Sequence, residues 1–421
     1  MTSLLSALSA GFLLAIAVMI AMMKQPVNIV SLYGCGLLFY GFPLCFRVTS
    51  PFSTNGVFPI VEIEDVVFIS YFLAFAVFFL ACRVRVPRPV ATRPISFAFA
   101  GSCFIGYFAS LLLFLTTTGI ENLLIIDKTE RLAQMTSWHV AMSIYATLLA
   151  VICGQQKVSG WRRILWLAPA SFIMVQMFLQ TRVTIILGAI SWGLARFSRH
   201  NGKMSRMTKL KIGVMVFVAA MVFFPFKGIW YSIAFGEFSF QRMPEYYIEA
   251  IKDFEPWDIL SNFNEVVRAR LVVPDGYFKN ILLCQIPFGR SLFEIPQVTF
   301  NEQIQTRLFP NVKWGMGSTA FGELYSQGGL MAELIFLLGV FLLLIIPGPR
   351  EPHFRLLHTS LSPYFFWYFH RNDWHYAFAM AKFFLIIWGF TFLLTFLMKK
   401  AFATLEDVIS VISIAPRANN L

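Results

Sequence analysis

Long runs of apolar residues, separated by short polar stretches, set the pattern of this chain. A helix that crosses a bilayer needs about 20 largely apolar residues. Runs that reach or approach that length cover 4–23, 27–46, 66–82, 95–115, 136–153, 163–180, 183–197, 211–230, 330–347, 358–370 and 376–398. The pattern predicts about eleven spans, with ten and twelve as the bounds. Only Gln180, Thr181 and Arg182 separate the runs at 163–180 and 183–197, so these predict a tight helical hairpin. The run at 358–370 is short and contains Pro363. The first run lacks a basic leader and stays apolar from Leu4 to Met23, which predicts a retained helix instead of a cleaved signal peptide.

One long stretch, from about Tyr231 to Gly329, cannot sit in lipid. Within it Tyr247, Ile248, Ile251 and Phe254 recur at helical spacing, as do Ile259, Leu260, Phe263, Val266, Val267 and Leu271. Pro274, Asp275 and Gly276 then supply a stop and a turn. Two amphipathic helices lying against the membrane's outer face are expected, either capping the bundle or forming a lid over a site. The expected organisation is an N-terminal bundle of about eight spans (1–230), the long loop with membrane re-entry (231–329), C-terminal spans (330–398) and a tail (399–421). The fold class is therefore an all-α polytopic membrane protein with one long outward loop.

Composition agrees with this picture. Of the 421 residues 57% are hydrophobic and only 13% charged, against roughly a quarter charged in soluble domains. The net charge of +12 would suggest nucleic acid in a soluble protein. Here the bases sit in short loops at 83–93, 157–163 and 196–211, after 347 and at Lys399 and Lys400, which is the positive-inside signature of cytoplasmic loops. By alternation the long loop faces outward. Five of the six cysteines fall in apolar runs and read as small buried hydrophobes.

Candidate chemistry gathers on the outward side. Arg268, Arg270, Arg290 and Arg307 share the loop with Lys279 and Lys313. Arginine's planar fork suits phosphate oxygens, although each could instead pair with one of the ten loop acids between Glu237 and Glu302. The passage Gly315 to Gly329 brings small and hydroxyl residues to Glu323 and Tyr325, with Glu333 deeper in the next apolar run. Acids at such depth point to function. Glu323 reads either as a general base or as a helix-start carboxylate that meets backbone amides and the helix dipole. Arg182 sits at the hairpin tip, and Asp127 to Arg131 lies between two spans. The last outward turn packs His370, Arg371, Asn372, Asp373, Trp374 and His375 together. Two histidines at that spacing with one acid match no compact metal site. No nucleotide-binding loop, zinc motif or nucleophile elbow occurs, so neither metal nor cofactor is expected.

Four features carry a resemblance: Thr129 to Arg131 before a span, Gln180 to Arg182 opening one, the loop running into Gly317 to Gly329 around Glu323, and His370 to Asp373 near the final helix. From about 95 to 398 the layout resembles bacterial oligosaccharide repeat-unit polymerases of the Wzy type, which make O-antigen, capsule or exopolysaccharide chains. The resemblance implies a metal-independent, multi-span glycosyltransferase of the GT-C class in the bacterial inner membrane, with its active loop on the periplasmic side. It implies an undecaprenyl-pyrophosphate-linked oligosaccharide as substrate, with a flippase and a chain-length regulator as partners. Arg131, Arg182, Arg268, Arg270, Arg290, Arg307, Tyr325, Arg371 and Asp373 would contact phosphate or sugar, and Glu323 or His370 would take the acceptor proton. The O-antigen ligase shares this architecture. A precursor transporter and a structural assembly subunit are the readings from other classes.

Overall fold

The computed structural model describes residues 2–24, 28–49, 60–84, 94–119, 122, 136–179, 182–199, 236–295, 299–312, 317–371 and 373–414, with a few single positions between 205 and 233. Among the described residues the chain is helical, and the one β feature is an isolated antiparallel bridge between Val48 and Glu62. The helices are α1 (Thr2–Lys24), α2 (Ile29–Gly41), α3 (Asp65–Arg83), α4 (Phe97–Thr118), α5 (Ser137–Gln155), α6 (Leu167–Phe178) and α7 (Arg182–Arg199). Then come α8 (Met243–Lys252), α9 (Glu255–Arg268), α10 (Tyr277–Gln285), α11 (Gly289–Leu292), α12 (Phe300–Leu308), α13 (Ala320–Ile345), α14 (Pro352–Phe366) and α15 (Trp374–Ile414).

Among the described residues six segments are long and apolar enough to cross a membrane: Ile29–Phe46, Asp65–Arg83, Phe97–Thr118, Ser137–Gln155, Ala320–Ile345 and Trp374–Lys400. The protein is thus built as a helical membrane protein, with six such helices among the described residues where the sequence has eleven apolar runs. Several runs fall short for visible reasons. Helix α6 has 12 residues, roughly 18 Å of rise, well below a bilayer core of about 30 Å. Helix α14 has 15 residues with Pro363 inside it. The run at 211–230 lies largely outside the described residues, as do most of the basic loops at 83–93 and 196–211.

Two compact units interleave along the chain. The first comprises 1–91, 197–348 and 362–380, and the second 92–196, 349–361 and 381–421. In the second, α4 packs along α5, and spanning positions satisfy their polar groups locally. Tyr107 and Ser171 share a hydrogen bond at 2.9 Å, and the Thr395 hydroxyl donates to Ser102 at 2.9 Å. The turn of the hairpin expected from α6 and α7, at Gln180 and Thr181, lies outside the described residues; near it the Thr184 hydroxyl donates to Gln176 Oε1 at 2.9 Å.

The first unit holds the long loop. Its helices start where the sequence supplies caps: Asn28 Oδ1 accepts from Val30 and Ser31 amides, and Thr319 Oγ1 accepts from the Gly322 amide. The two amphipathic helices read from the sequence are α8 and α9, but they differ in placement. Helix α8 buries Tyr246 alone. Helix α9 buries ten of its 14 residues, packed on α2, α3, α12 and α13. It is a core element and not a peripheral cap. Its polar side chains account for this: Asn264 accepts from the Glu64 amide at 2.8 Å and donates to the Glu62 carbonyl at 3.3 Å, while Asn262 donates to the Gly317 carbonyl. A helix with modest apolar content can be interior when its amides are spent on neighbouring backbone.

Helix α13 is broken. Gly328 and Gly329 leave helical geometry, Gly329 with φ 61° and ψ −156°, a region essentially closed to other residues. The first part, ending at Gln327, belongs with the loop helices, and the second continues as the apolar span.

Candidate functional site

The polar centre of the first unit is built around Glu323. It lies on the first turn of α13 and is fully buried. Tyr277, opening α10, donates its hydroxyl to Oε1 at 2.9 Å, and the Trp374 amide, opening α15, donates to Oε2 at 2.7 Å. One carboxylate therefore ties together the starts of three helices. Gly276 makes this possible at the α10 end, since its φ of 78° turns the chain sharply into Tyr277. The Val273 amide, donating to the Ser326 carbonyl at 3.3 Å, holds the same strand of chain against α13.

Asp373, one residue before α15, forms a second node. Its Oδ2 accepts from the Phe300 amide at 3.2 Å and its Oδ1 from the Tyr376 amide at 3.1 Å, so it caps α12 and α15 at once. Burial holds the Asp373 carboxyl above its ordinary range, opposed by these amide bonds and by His375. Burial also raises the Tyr277 phenol, reinforced by the charges of Glu323 and Asp373.

Outside this core lies a cleft of about 160 Å³. Tyr277, Asn280 and Cys284 of α10 form one wall, with Thr299 and Gln303 of the α12 start opposite. Arg290 brings positive charge to it, His375 an imidazole and Asp275 one acid. Thr299 is held by a capping box, its hydroxyl accepting from the Glu302 amide at 3.2 Å while Glu302 accepts from the Thr299 amide at 2.8 Å. Tyr277 is the link: it lines the cleft and reaches the buried Glu323.

The sequence-derived candidates are distributed unevenly around this arrangement. Glu323 and Asp373 are in the core and Arg290 is at the cleft. Tyr325 is half-buried against the apolar cluster of Val266, Leu271, Phe300 and Ile304. Arg371 pairs with Glu255 and lies over the Tyr368 ring, 5.2 Å from its centroid. Arg268 is exposed and pairs with Glu265 on its own helix at 3.2 Å. Arg307 spends one guanidinium nitrogen on the Val272 carbonyl at 2.8 Å, bracing the turn before α10. Arg270 sits in that turn with φ 49°. Arg182 opens α7 in the second unit, and its side chain lies outside the described residues, as does the whole of Arg131.

His370 is fully buried among the rings of Tyr33, Tyr40, Phe321 and Phe369, and neither ring nitrogen has a hydrogen-bond partner. Burial pulls its pKa down to about 3, so it stays neutral. Gly36 allows the approach, since a Cβ there would meet His370 Cδ2 at 3.1 Å. Glu333, four residues beyond the break, is equally buried, and its two oxygens lack hydrogen bonds of proper geometry. The nearby Ser70 hydroxyl is committed to the Val66 carbonyl at 2.9 Å.

Tyr277, Asn280, Thr299 and Gln303 were not singled out by pattern, and His375 was read only as part of the polar turn from His370. For Tyr277 no local signal exists, because its partner lies 46 residues further along the chain. No group of three metal-ligating side chains occurs among the described residues. Comparison with protein-family models, with curated proteins and with solved structures finds no match to this chain.

Proposed function

We propose that this protein is a polymerase of lipid-linked oligosaccharides, joining undecaprenyl-pyrophosphate-linked repeat units at the periplasmic face of a bacterial inner membrane. The observation that carries the reading is the cleft in which the Arg290 guanidinium and the His375 imidazole lie with the amide and hydroxyl groups of Asn280, Thr299 and Gln303, with Tyr277 leading to a buried carboxylate. Such a lining suits a sugar hydroxyl array next to a pyrophosphate. Guanidinium charge at the mouth would stabilise the charge that grows on the leaving pyrophosphate. The acceptor hydroxyl oxygen forms the new bond to the donor's anomeric carbon as the carbon–oxygen bond to the pyrophosphate breaks. Its proton passes to the Tyr277 oxygen while the Tyr277 proton moves to Glu323, a step for which the 2.9 Å bond is already in place. In this reading Glu323 acts through Tyr277, and His370 holds the packing beside it.

The test is chain length in cells that depend on this gene for surface polysaccharide. Glu323→Gln, Tyr277→Phe and Arg290→Ala should each leave a single repeat unit on the acceptor with the protein still inserted. Loss of all units, with polymer accumulating on the lipid carrier, would instead assign a ligase. Normal ladders from all three would overturn the site. Alanine at Arg182, Arg270 and Arg307 extends the test to the other candidate arginines.

A second reading has its own observation. A span interrupted at Gly328 and Gly329, followed by the buried Glu333, is the construction used by transporters at their binding sites. Lipid-linked precursor movement across vesicles that fails in Glu333→Gln while polymerisation is intact would favour it.

A further inference from the structure

The segment from Tyr277 to Phe293 has two faces. Tyr277 and Ile281 are buried, and Asn280 and Cys284 line the cleft. On the other side Phe278, Leu282 and Ile286 recur every four residues and stand exposed, Leu282 at 58%. The exposed apolar stripe continues through Phe288 at 83%, Leu292 at 68% and Phe293. Phe288 adopts φ 60°, an uncommon conformation for a bulky residue. Six large apolar side chains turned outward along one short arm exceed the scattered exposure that a protein surface ordinarily shows.

Charge identifies the occupant. Between Asp275 and Glu294 the arm contains no acid, and its two charged residues, Lys279 and Arg290, are both basic and exposed. Position identifies it too. The root of the arm is bonded to the Ala320–Ile345 segment, through Tyr277 to Glu323 and Val273 to Ser326, just before the break from which the apolar span continues. The arm thus leaves the protein at the end of a membrane span.

We propose that α10 and α11 form an in-plane membrane anchor, with the stripe from Phe278 to Phe293 sunk into the boundary between headgroups and acyl chains and Lys279 and Arg290 at anionic headgroups. An amphipathic segment with apolar bulk on one face and bases on its flank binds lipid in this way. The anchor does not rest on the polymerase reading. If both hold, the cleft opens at headgroup depth, where a lipid-borne pyrophosphate travels.

The experiment uses the full-length protein in vesicles of phosphatidylcholine with phosphatidylglycerol. Leu282→Cys, Phe288→Cys and Lys279→Cys, each in a background with the half-buried cysteines changed to alanine, are spin-labelled and their collisions with oxygen and with a water-soluble nickel chelate compared. The oxygen-to-nickel ratio should be several-fold higher at 282 and 288 than at 279, and Lys279→Glu should lower it at 282 in these vesicles but not in pure phosphatidylcholine. Nickel access at 282 and 288 equal to that at 279 would overturn the anchor, leaving the stripe in water. Low collision rates with both reagents would overturn it in favour of a protein partner or a second copy of the chain. Thermal unfolding of each labelled variant, unchanged from the parent, keeps a folding defect from mimicking either result.

Discussion

Glu323 and Glu333 stand on the same helix, on either side of the Gly328–Gly329 break, and both are fully buried. Their surroundings differ. Before the break, the carboxylate accepts two hydrogen bonds, from Tyr277 and the Trp374 backbone, and thereby joins three helix starts. Beyond it, neither oxygen of the carboxyl finds a proper donor. The burial of the first is offset by the bonds it accepts. The second has no such offset, and a buried polar group without partners costs stability. The glycine break divides a carboxyl fixed by two hydrogen bonds from one buried without them.

The largest test of this contrast is removal of each carboxyl. Glu323→Leu leaves the buried Tyr277 phenol and the Trp374 amide without their acceptor, so a loss of about 2–6 kcal/mol is expected, read as a lower unfolding temperature in detergent. Glu333→Leu should leave that temperature unchanged or raise it, because an apolar group replaces an unsatisfied one. Equal losses would erase the distinction between the two sides of the break.

Next comes the break itself. Gly329→Ala should cost about 1–3 kcal/mol, although a Cβ there meets open space, since the penalty is conformational. Gly328 has φ −152°, so Gly328→Ala should cost less, its only crowding being Ala332 Cβ at 3.0 Å. Similar effects at both positions would mean that the break is not held by Gly329.

A third test concerns His370, beside the same core. Its pKa falls from 6.5 to about 3 on burial, so the unfolded chain binds the proton first. The contribution to stability is complete above pH 6.5 and is lost as pH drops toward about 3, with a slope approaching about 1.4 kcal/mol per pH unit. Unfolding measured from pH 7 to 4 should show this decline, and His370→Phe should flatten it. The smallest effect is Tyr277→Phe, which removes one bond to Glu323 and should cost about 1–2 kcal/mol while leaving the Trp374 bond to hold α15. A Tyr277→Phe loss as large as that of Glu323→Leu would show that the node is one bond and not two.

Much of the helical scaffold was legible in the chain. The apolar runs at 27–46, 66–82, 95–115, 136–153 and 376–398 correspond to long apolar helices, because roughly 20 apolar residues have few other stable placements. The helical spacing from Ile259 to Leu271 located α9, and the turn at Pro274 to Gly276 located its end. Periodicity did not reveal that α9 is interior, because Asn262 and Asn264 look like surface residues until their backbone partners at Gly317, Glu62 and Glu64 are known. Among the site residues, Glu323 was visible as an acid at the mouth of an apolar run. Arg290 was one arginine among several, and position along the chain could not separate it from Arg268, which pairs within its own helix.

By itself, then, the sequence determined a helical membrane protein with one long polar segment, since burial of apolar length and satisfaction of backbone groups are local demands that composition records. Only the tertiary structure decided which polar groups in that segment meet. Tyr277 and Glu323, Phe300 and Asp373, and Asn264 and Glu62 are pairs separated by 46, 73 and 202 residues. Hydrogen bonds over such distances follow from how helices pack, and no local pattern encodes them.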